Sequence, residues 1–174
     1  EMMGQFGRMQ KMCLYEEAIH GPLLVWGAGI PHGERRPHLG QQIDILPTLL
    51  DFAGVDIPEH VEGVSLKDTI TQGKNPDRDY VHAWLEWSGE VHSLLRSERY
   101  KLYRLFGRDH RSDIEETFEL YNVTDDPYET RNLWSEQPDN EEIRRLKRTF
   151  LKYYWDRAGM VGCSMKTQQA LSPE

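Results

Sequence analysis

The sequence predicts an α/β fold in which the end of a parallel or mixed sheet core precedes a small antiparallel sheet packed by a helix. The first supporting observation is a continuous apolar run at residues 23–26, bounded by Pro22 and Gly27, which is typical of a strand buried on both faces. The second is a series of short segments rich in aromatic and β-branched residues between 80 and 121, as in an antiparallel meander. The third is the helical spacing of apolar residues between 143 and 154, which predicts a helix with one buried face.

Length and charge limit the classes of function. A chain of 174 residues is long enough to bury a core. Its net charge of −8 makes nucleic acid an unexpected partner, because phosphate binding depends on clustered Lys and Arg. No apolar run approaches the ~20 residues that cross a bilayer, so we expect no membrane span. Glu1 does not resemble a native start, any targeting segment would precede it, and the sequence therefore leaves the localisation unknown.

The first part of the chain is predicted as the end of the sheet core. In chain order we expect a loop, a short helical turn, the apolar strand and a glycine turn, at residues 1–11, 15–19, 23–26 and 27–33. Asp44 is predicted to cap a helix that carries Pro47 in its first turn and ends at Gly54. The turn-rich stretch 72–77 predicts a boundary, and residues 1–75 are assigned to the core.

The second part is predicted as a separate antiparallel subdomain. We expect strands at residues 80–87, 91–97, 100–106 and 118–121. Pro138 and Asp139 are predicted to open the final helix. Its apolar positions are Ile143, Leu146, Phe150, Leu151 and Tyr154. Residues 76–158 are assigned to this subdomain and residues 159–174 to a tail.

Several short phrases, in this order, resemble one enzyme family. They are Lys-x-x-x-Tyr-Glu at 11–16, Asp-x-x-Pro-Thr at 44–48, and the stretches 95–102, 119–122 and 126–133. Each phrase alone is a weak signal. Together the phrases resemble the C-terminal portion of the type I sulfatase family, within the alkaline phosphatase superfamily. The resemblance implies the end of an alkaline-phosphatase-like sheet core followed by the antiparallel subdomain and its helix.

The resemblance also implies an activity for a longer parent enzyme. A type I sulfatase is a hydrolase that cleaves a sulfuric ester, here a small-molecule or carbohydrate sulfate. Its nucleophile is a formylglycine made within a Cys/Ser-x-Pro/Ala-x-Arg motif, and it holds calcium or magnesium. This chain has no such motif, since Cys13 precedes Leu-Tyr-Glu and Cys163 precedes Ser-Met-Lys. We therefore expect no metal ligands here, an inactive isolated chain, and the N-terminal portion of the same enzyme as a partner.

Lys11 is the catalytic residue that the resemblance assigns to this chain. It matches a family lysine that contacts the sulfate and the leaving oxygen. Sulfuryl transfer places negative charge on the sulfate oxygens, and a cation fixed nearby stabilises that charge. A sulfatase site therefore needs such a cation. A lysine judged alone is more often a solvated surface residue.

Three further residues are weaker candidates for substrate binding. His20 stands just before the apolar strand, where it would reach a substrate anion or, alternatively, cap the entry to the strand. His82 and Trp84 share a strand face with Glu86 and would line a sugar or aryl pocket. The alternative is that this face is covered by the C-terminal helix. Cys13 is predicted to serve packing only.

Two other functions stay open at this point. The parent is alternatively a phosphodiesterase or phosphonate monoester hydrolase of the same superfamily, since one fold serves several chemistries. The upstream nucleophile decides between these hydrolases. The remaining alternative is that the chain only binds substrate, as a substrate-gripping module with no catalytic residue of its own. A Lys11→Ala variant separates the two cases, because loss of the chemical step supports a catalytic Lys11 and a change confined to substrate affinity supports the module.

Overall fold

The computed structural model describes residues 1–108 and 114–157, with side chains described as far as residue 154. Their packing defines two compact units. One unit combines Glu1–Gly21 with the residues from His82 onward, and the other is Pro22–Val81. The expected division at residue 76 follows chain order and stays a prediction for the parent enzyme. Cys163 and the expected tail lie outside the described residues.

An antiparallel sheet forms the centre of the first unit. Its strands, in spatial and chain order, are β3 (Val81–Trp87), β4 (Glu90–Arg96), β5 (Tyr100–Gly107) and β6 (Thr117–Asn122). The register pairs Leu95 with Leu102 and Leu102 with Leu120. The predicted meander is confirmed, because neighbouring strands in the sheet follow one another in the chain.

One face of the sheet packs against the long helix α4 (Glu141–Arg157). The buried residues of this layer are Leu95, Leu102, Leu120, Ile143, Leu146 and Phe150. Tyr154 in α4 donates a hydrogen bond to the carbonyl oxygen of Leu94 at 3.0 Å. The helical spacing of apolar residues therefore predicted both the helix and its buried side.

The opposite face of the sheet is covered by the first residues of the chain. They form the short hairpin of β1 (Met2–Met3) and β2 (Met9–Gln10) and the single-turn helix α1 (Glu16–Ile19). A core cluster joins this segment to inward residues of the sheet. Its buried members are Met2, Cys13, Leu14, Tyr15, Leu94, Tyr103, Tyr121 and Val123. The predicted packing role of Cys13 agrees with its burial here.

The second unit is organised around a buried carboxylate. A 3₁₀ turn at Gln42–Asp44 leads into α2 (Ile45–Phe52), and α3 (Lys67–Gln72) follows. The Asp44 carboxylate accepts from the backbone N–H of Gln41 at 2.7 Å and of Val64 at 3.0 Å, and it pairs with the Arg78 guanidinium. The expected side-chain cap on α2 is wrong, because the Asp44 carboxylate is satisfied by the preceding turn, the 64 loop and Arg78.

The predicted buried strand at 23–26 is also wrong for this chain. Residues 22–80 contain no strand, and Leu24 and Trp26 are 92% and 90% exposed. A strand needs a neighbour that supplies ladder hydrogen bonds. The four long strands of the described residues pair only with one another. An apolar run predicts that a segment is suited to burial, but it does not say which chain segment provides the cover.

Gly63 provides a test of the packing in the second unit. A Cβ at this position would lie 2.1 Å from the Ile43 carbonyl oxygen, which is backbone and cannot rotate away. We expect Gly63→Ala to lower the free energy of unfolding by about 1–3 kcal/mol, as overpacking does. Gly21→Ala is the matched control, because its Cβ meets open space at an unstrained backbone angle. Thermal unfolding of the two variants checks this, and equal melting temperatures would contradict the close approach.

Candidate functional site

Lys11 lies in a tight turn whose backbone is held on both sides. Before it, Gln10 pairs with the buried Met2 in the β1–β2 hairpin. After it, the N–H of the buried Cys13 donates to the Lys11 carbonyl oxygen at 2.5 Å. The Lys11 side chain itself is 66% exposed, and its ammonium lies 3.9 Å from the Glu1 carboxylate. Such an exposed pair adds little stability, so the turn fixes the Lys11 backbone while the ammonium stays exposed.

Tyr15 anchors this segment to the sheet. Its hydroxyl donates to Glu119 on β6 at 3.0 Å, and Tyr121 donates to the same carboxylate at 2.8 Å. The Tyr15 ring meets the edge of Tyr103 at 5.4 Å and stacks on Phe6 at 4.3 Å. Burial, followed by the nearby Glu119 charge, raises the pKa of Tyr15. The phenol therefore stays protonated and remains a hydrogen-bond donor.

Glu16 is held by a buried charge network next to Tyr15. The Lys101 ammonium, fully buried on β5, lies 2.6 Å from Glu129 and 3.6 Å from Glu16. Arg96 on β4 donates to the Glu16 carboxylate at 3.1 Å. The second oxygen of Glu129 accepts the Glu16 backbone N–H at 2.7 Å. Two cations and two carboxylates thus balance in this network, which is what the burial of charge requires. We call Glu16, Arg96, Lys101 and Glu129 the Glu16 clamp.

The backbone of Glu129 is strained. Its φ is 55°, a left-handed conformation that costs a non-glycine residue about 1–3 kcal/mol. The N–H of Glu129 donates to the Asp126 carbonyl oxygen at 3.1 Å, closing the turn that aims the side chain inward. Burial raises the pKa of the Glu129 carboxyl, and the charge of Lys101 opposes that change. The turn therefore keeps an unfavourable backbone conformation, and this conformation places the Glu129 carboxylate beside the first residue of α1.

A histidine is buried in the same face of the sheet. The His92 ring accepts from the Tyr103 hydroxyl through Nδ1 at 2.5 Å and donates from Nε2 to Glu90 at 3.0 Å. This assignment fits a neutral imidazole, which has one donor and one acceptor nitrogen. Burial lowers the pKa of His92, although the Glu90 carboxylate acts in the opposite direction.

The structure divides the four sequence-predicted site residues into two pairs. Lys11 and the exposed His20 belong to the N-terminal segment, and His20 lies 3.7 Å from Glu16. His82 packs on Tyr153 at 4.2 Å between ring centroids, and Trp84 packs on Tyr154 at 5.8 Å. These contacts lie on the α4 face, opposite the face that the N-terminal segment covers. The alternative of a helix-covered sheet face therefore describes the surroundings of His82 and Trp84.

Sequence reasoning missed the Glu16 clamp. Lys101 lies in a predicted strand and has no sequence feature that indicates a function. Glu129 lies in a stretch predicted only as a turn. One signal was present, because Lys101 shares a strand face with Tyr103 and Leu105. A lysine at such an inward position needs a carboxylate partner. Its partners are 85 residues before it and 28 residues after it, which local patterns do not reveal.

The described residues do not fit a metal or a formylglycine nucleophile. Within 1–108 and 114–157, no group of three or more His, Cys, Asp or Glu side chains is placed to hold a metal ion. The whole sequence lacks the Cys/Ser-x-Pro/Ala-x-Arg motif. No helix in this part of the chain is both long and apolar enough to cross a membrane. What the site offers is a cation on a firmly held turn, which is suited to an anionic ligand.

Comparison with known families agrees with this geometry. Residues 4–155 match the family described as N-sulphoglucosamine sulphohydrolase, C-terminal. The chain belongs to this sulfatase family. The match includes the Lys11 turn, the Glu16 clamp, the antiparallel sheet and α4 up to residue 155.

Individual sulfatases match over nearly the same length. An N-acetylglucosamine-6-O-sulfatase of Bacteroides thetaiotaomicron is 30% identical over 166 residues, covering 88% of this chain and 29% of that protein. An arylsulfatase of Clostridium perfringens is 28% identical, and the match covers 87% of this chain and 31% of that protein. The chain thus spans about 30% of the curated relatives it matches.

A solved structure of another protein has a similar fold. It is described as a complex of that protein with its substrate D-glucosamine-2-N,6-O-disulfate. It is 27% identical, has a TM-score of 0.54, and the match covers 66% of this chain and 24% of that chain. The predicted fold class and the predicted sulfatase family are both confirmed.

His92 makes the stability of the first unit depend on pH. Its pKa is lowered from the ordinary 6.5, so below pH 6.5 the unfolded chain takes up a proton that the folded chain resists. The first unit therefore has its full free energy of unfolding above pH 6.5, and it loses part of that free energy as the pH falls toward the folded-state pKa of His92. We expect the melting temperature to drop more between pH 7.5 and 5.5 in the protein that carries His92 than in the same protein with His92→Gln. Parallel slopes for the two proteins would contradict this assignment.

Proposed function

We propose that this chain is the C-terminal portion of a sulfatase that hydrolyses an organic sulfate ester, and that Lys11 contacts the sulfate oxygens. The observation that carries the proposal is the exposed Lys11 ammonium on a turn held by Met2, Cys13 and the Glu16 clamp. The turn fixes the backbone from which the Lys11 side chain extends, so the exposed ammonium needs only a side-chain rearrangement to reach a sulfate oxygen. A cation fixed at that place stabilises the negative charge that develops on the oxygens.

The remaining chemistry is assigned to the part of the enzyme outside this chain. A formylglycine nucleophile and a calcium or magnesium ion would supply the attack at sulfur and further charge neutralisation. No group of three or more metal-ligating side chains is found among the described residues, and the sequence lacks the nucleophile motif, so we assign both groups to the N-terminal portion of the parent enzyme. The role of Lys11 is confined to donating N–H hydrogen bonds to sulfate oxygens and to the departing oxygen.

The proposed substrate class is a sulfated sugar. The supporting observations are the names of relatives, which include an N-acetylglucosamine-6-O-sulfatase and an enzyme bound to a glucosamine disulfate. His20, exposed beside α1, would contact a sugar or sulfate oxygen. Trp84 is 41% exposed although it packs on α4, and its exposed edge would contact a sugar ring. His82, stacked on Tyr153, would support that surface.

The proposed partner is the N-terminal portion of the same enzyme. The second unit exposes apolar side chains that a stable surface normally covers, at Leu23, Leu24, Val25, Trp26, Ile45, Leu46 and Leu49. The relatives are about three times as long as this chain. A larger sheet core in the parent would give the 23–26 segment the strand neighbours that it lacks among the described residues.

Solvent protection of Trp26 in the parent enzyme tests the proposed partner. Hydroxyl-radical footprinting of the intact protein should leave Trp26 several-fold less oxidised than Trp87, because the N-terminal portion covers it. Trp87 is the same residue type, is 54% exposed in this chain and lies beside the β3–β4 turn. Trp26 oxidised as fast as Trp87 would contradict the proposed burial.

Replacement of Lys11 tests the proposed function. In the parent enzyme, Lys11→Ala should lower kcat about 100-fold or more on a sulfated glucosamine, because a donor to the developing charge is lost. Lys74→Ala is the matched control, since Lys74 is 59% exposed and also lies beside a carboxylate, Asp68. A change confined to KM would instead support a substrate-gripping module. A phosphate diester cleaved faster than the sulfate would support the phosphodiesterase alternative.

A further inference from the structure

A stretch of only four residues, 12–15, connects the Glu16 clamp to the Lys11 turn. Glu129 accepts the backbone N–H of Glu16, so it fixes the main chain and not only a side chain. Between this point and Lys11 stand the partly buried Met12 and the buried Cys13, Leu14 and Tyr15. Because three of these four residues are packed in the core, we expect a shift of Glu16 to reach the Lys11 turn.

Both ends of the clamp are set by distant parts of the chain. Lys101 stands in the middle of the sheet with its ammonium 2.6 Å from Glu129 and 3.6 Å from Glu16. Glu129 stands in the turn after β6 in a left-handed conformation. Such strain persists only where the surroundings determine it, and it is concentrated at functional sites. A simple surface turn would not require a buried carboxylate at this position.

We propose that Glu129 and Lys101 are positioning residues that hold the Lys11 ammonium in its catalytic place. The inference rests on the proposed function of Lys11. Neither residue is expected to touch the substrate. They act through the Glu16 backbone, so their removal affects turnover only while Lys11 is present. Misplacement of a catalytic group by about 1 Å is enough to cost up to 100-fold in rate.

A double-mutant cycle in the parent enzyme tests this coupling. Glu129→Gln keeps an acceptor for the Glu16 N–H and removes the charge that pairs with Lys101. We expect it to lower kcat about tenfold or more with KM nearly unchanged, and to have less than a twofold effect in the Lys11→Ala background. Glu136→Gln is the control, because Glu136 pairs with Arg131 on the exposed surface and should leave kcat unchanged in both backgrounds.

The outcomes separate this inference from the proposed function. Equal losses from Glu129→Gln in both backgrounds, or no loss in either, would overturn the positioning role alone. Full activity of Lys11→Ala would overturn the proposed function and the positioning role together. Where Lys11→Ala turnover is too slow to follow, the same cycle is read from the affinity for inorganic sulfate by calorimetry. Should Glu129→Gln not fold, Arg96→Gln replaces it, since Arg96 binds the Glu16 carboxylate from the partly exposed rim.

Discussion

The first unit depends on one buried ion pair, Lys101 with Glu129. Burial of two charges is costly, and their attraction repays the cost only when the remaining hydrogen-bonding atoms also find partners. Glu129 meets this condition through the Glu16 N–H, and the nearby Glu16 carboxylate is shared by Arg96. Loss of one member of such a pair typically costs about 3–5 kcal/mol, because the other charge stays buried alone. The pair contributes specificity of arrangement more than net stability.

The sheet separates two layers with different chemistry. On the α4 side most contacts are apolar or aromatic, and the hydrogen bonds of Tyr154 to Leu94 and of Ser97 to Glu142 are added to them. On the side of the N-terminal segment, phenols, carboxylates, a histidine and a lysine are buried together. Directional hydrogen bonds allow one arrangement of the covering chain, whereas apolar contacts tolerate several. The segment that carries Lys11 is therefore placed by the polar layer.

Local patterns predicted the parts of the fold that local physics determines. Segments rich in aromatic and β-branched residues predicted the four strands, and the helical spacing of Ile143, Leu146 and Phe150 predicted α4 with its buried side. The 23–26 segment was predicted incorrectly because burial depends on a covering surface that the pattern does not specify. Asp44 was misassigned for a related reason. A carboxylate before a helix is a good cap, but Val64 and Arg78, distant in sequence, supply its partners instead.

The candidate site was predictable only in part. Lys11 was identified through a family phrase, whereas its supporting residues had no local signal of function. The structure supplies a physical meaning for the phrases themselves. Tyr15 and Glu16 come from the first phrase, Lys101 from the 95–102 stretch, Glu119 and Tyr121 from 119–122, and Glu129 from 126–133. These residues form two adjoining contacts on one face, Tyr15 with Glu119 and Glu16 with Lys101 and Glu129. Four of the five phrases, although separate along the sequence, thus contribute residues to one polar layer.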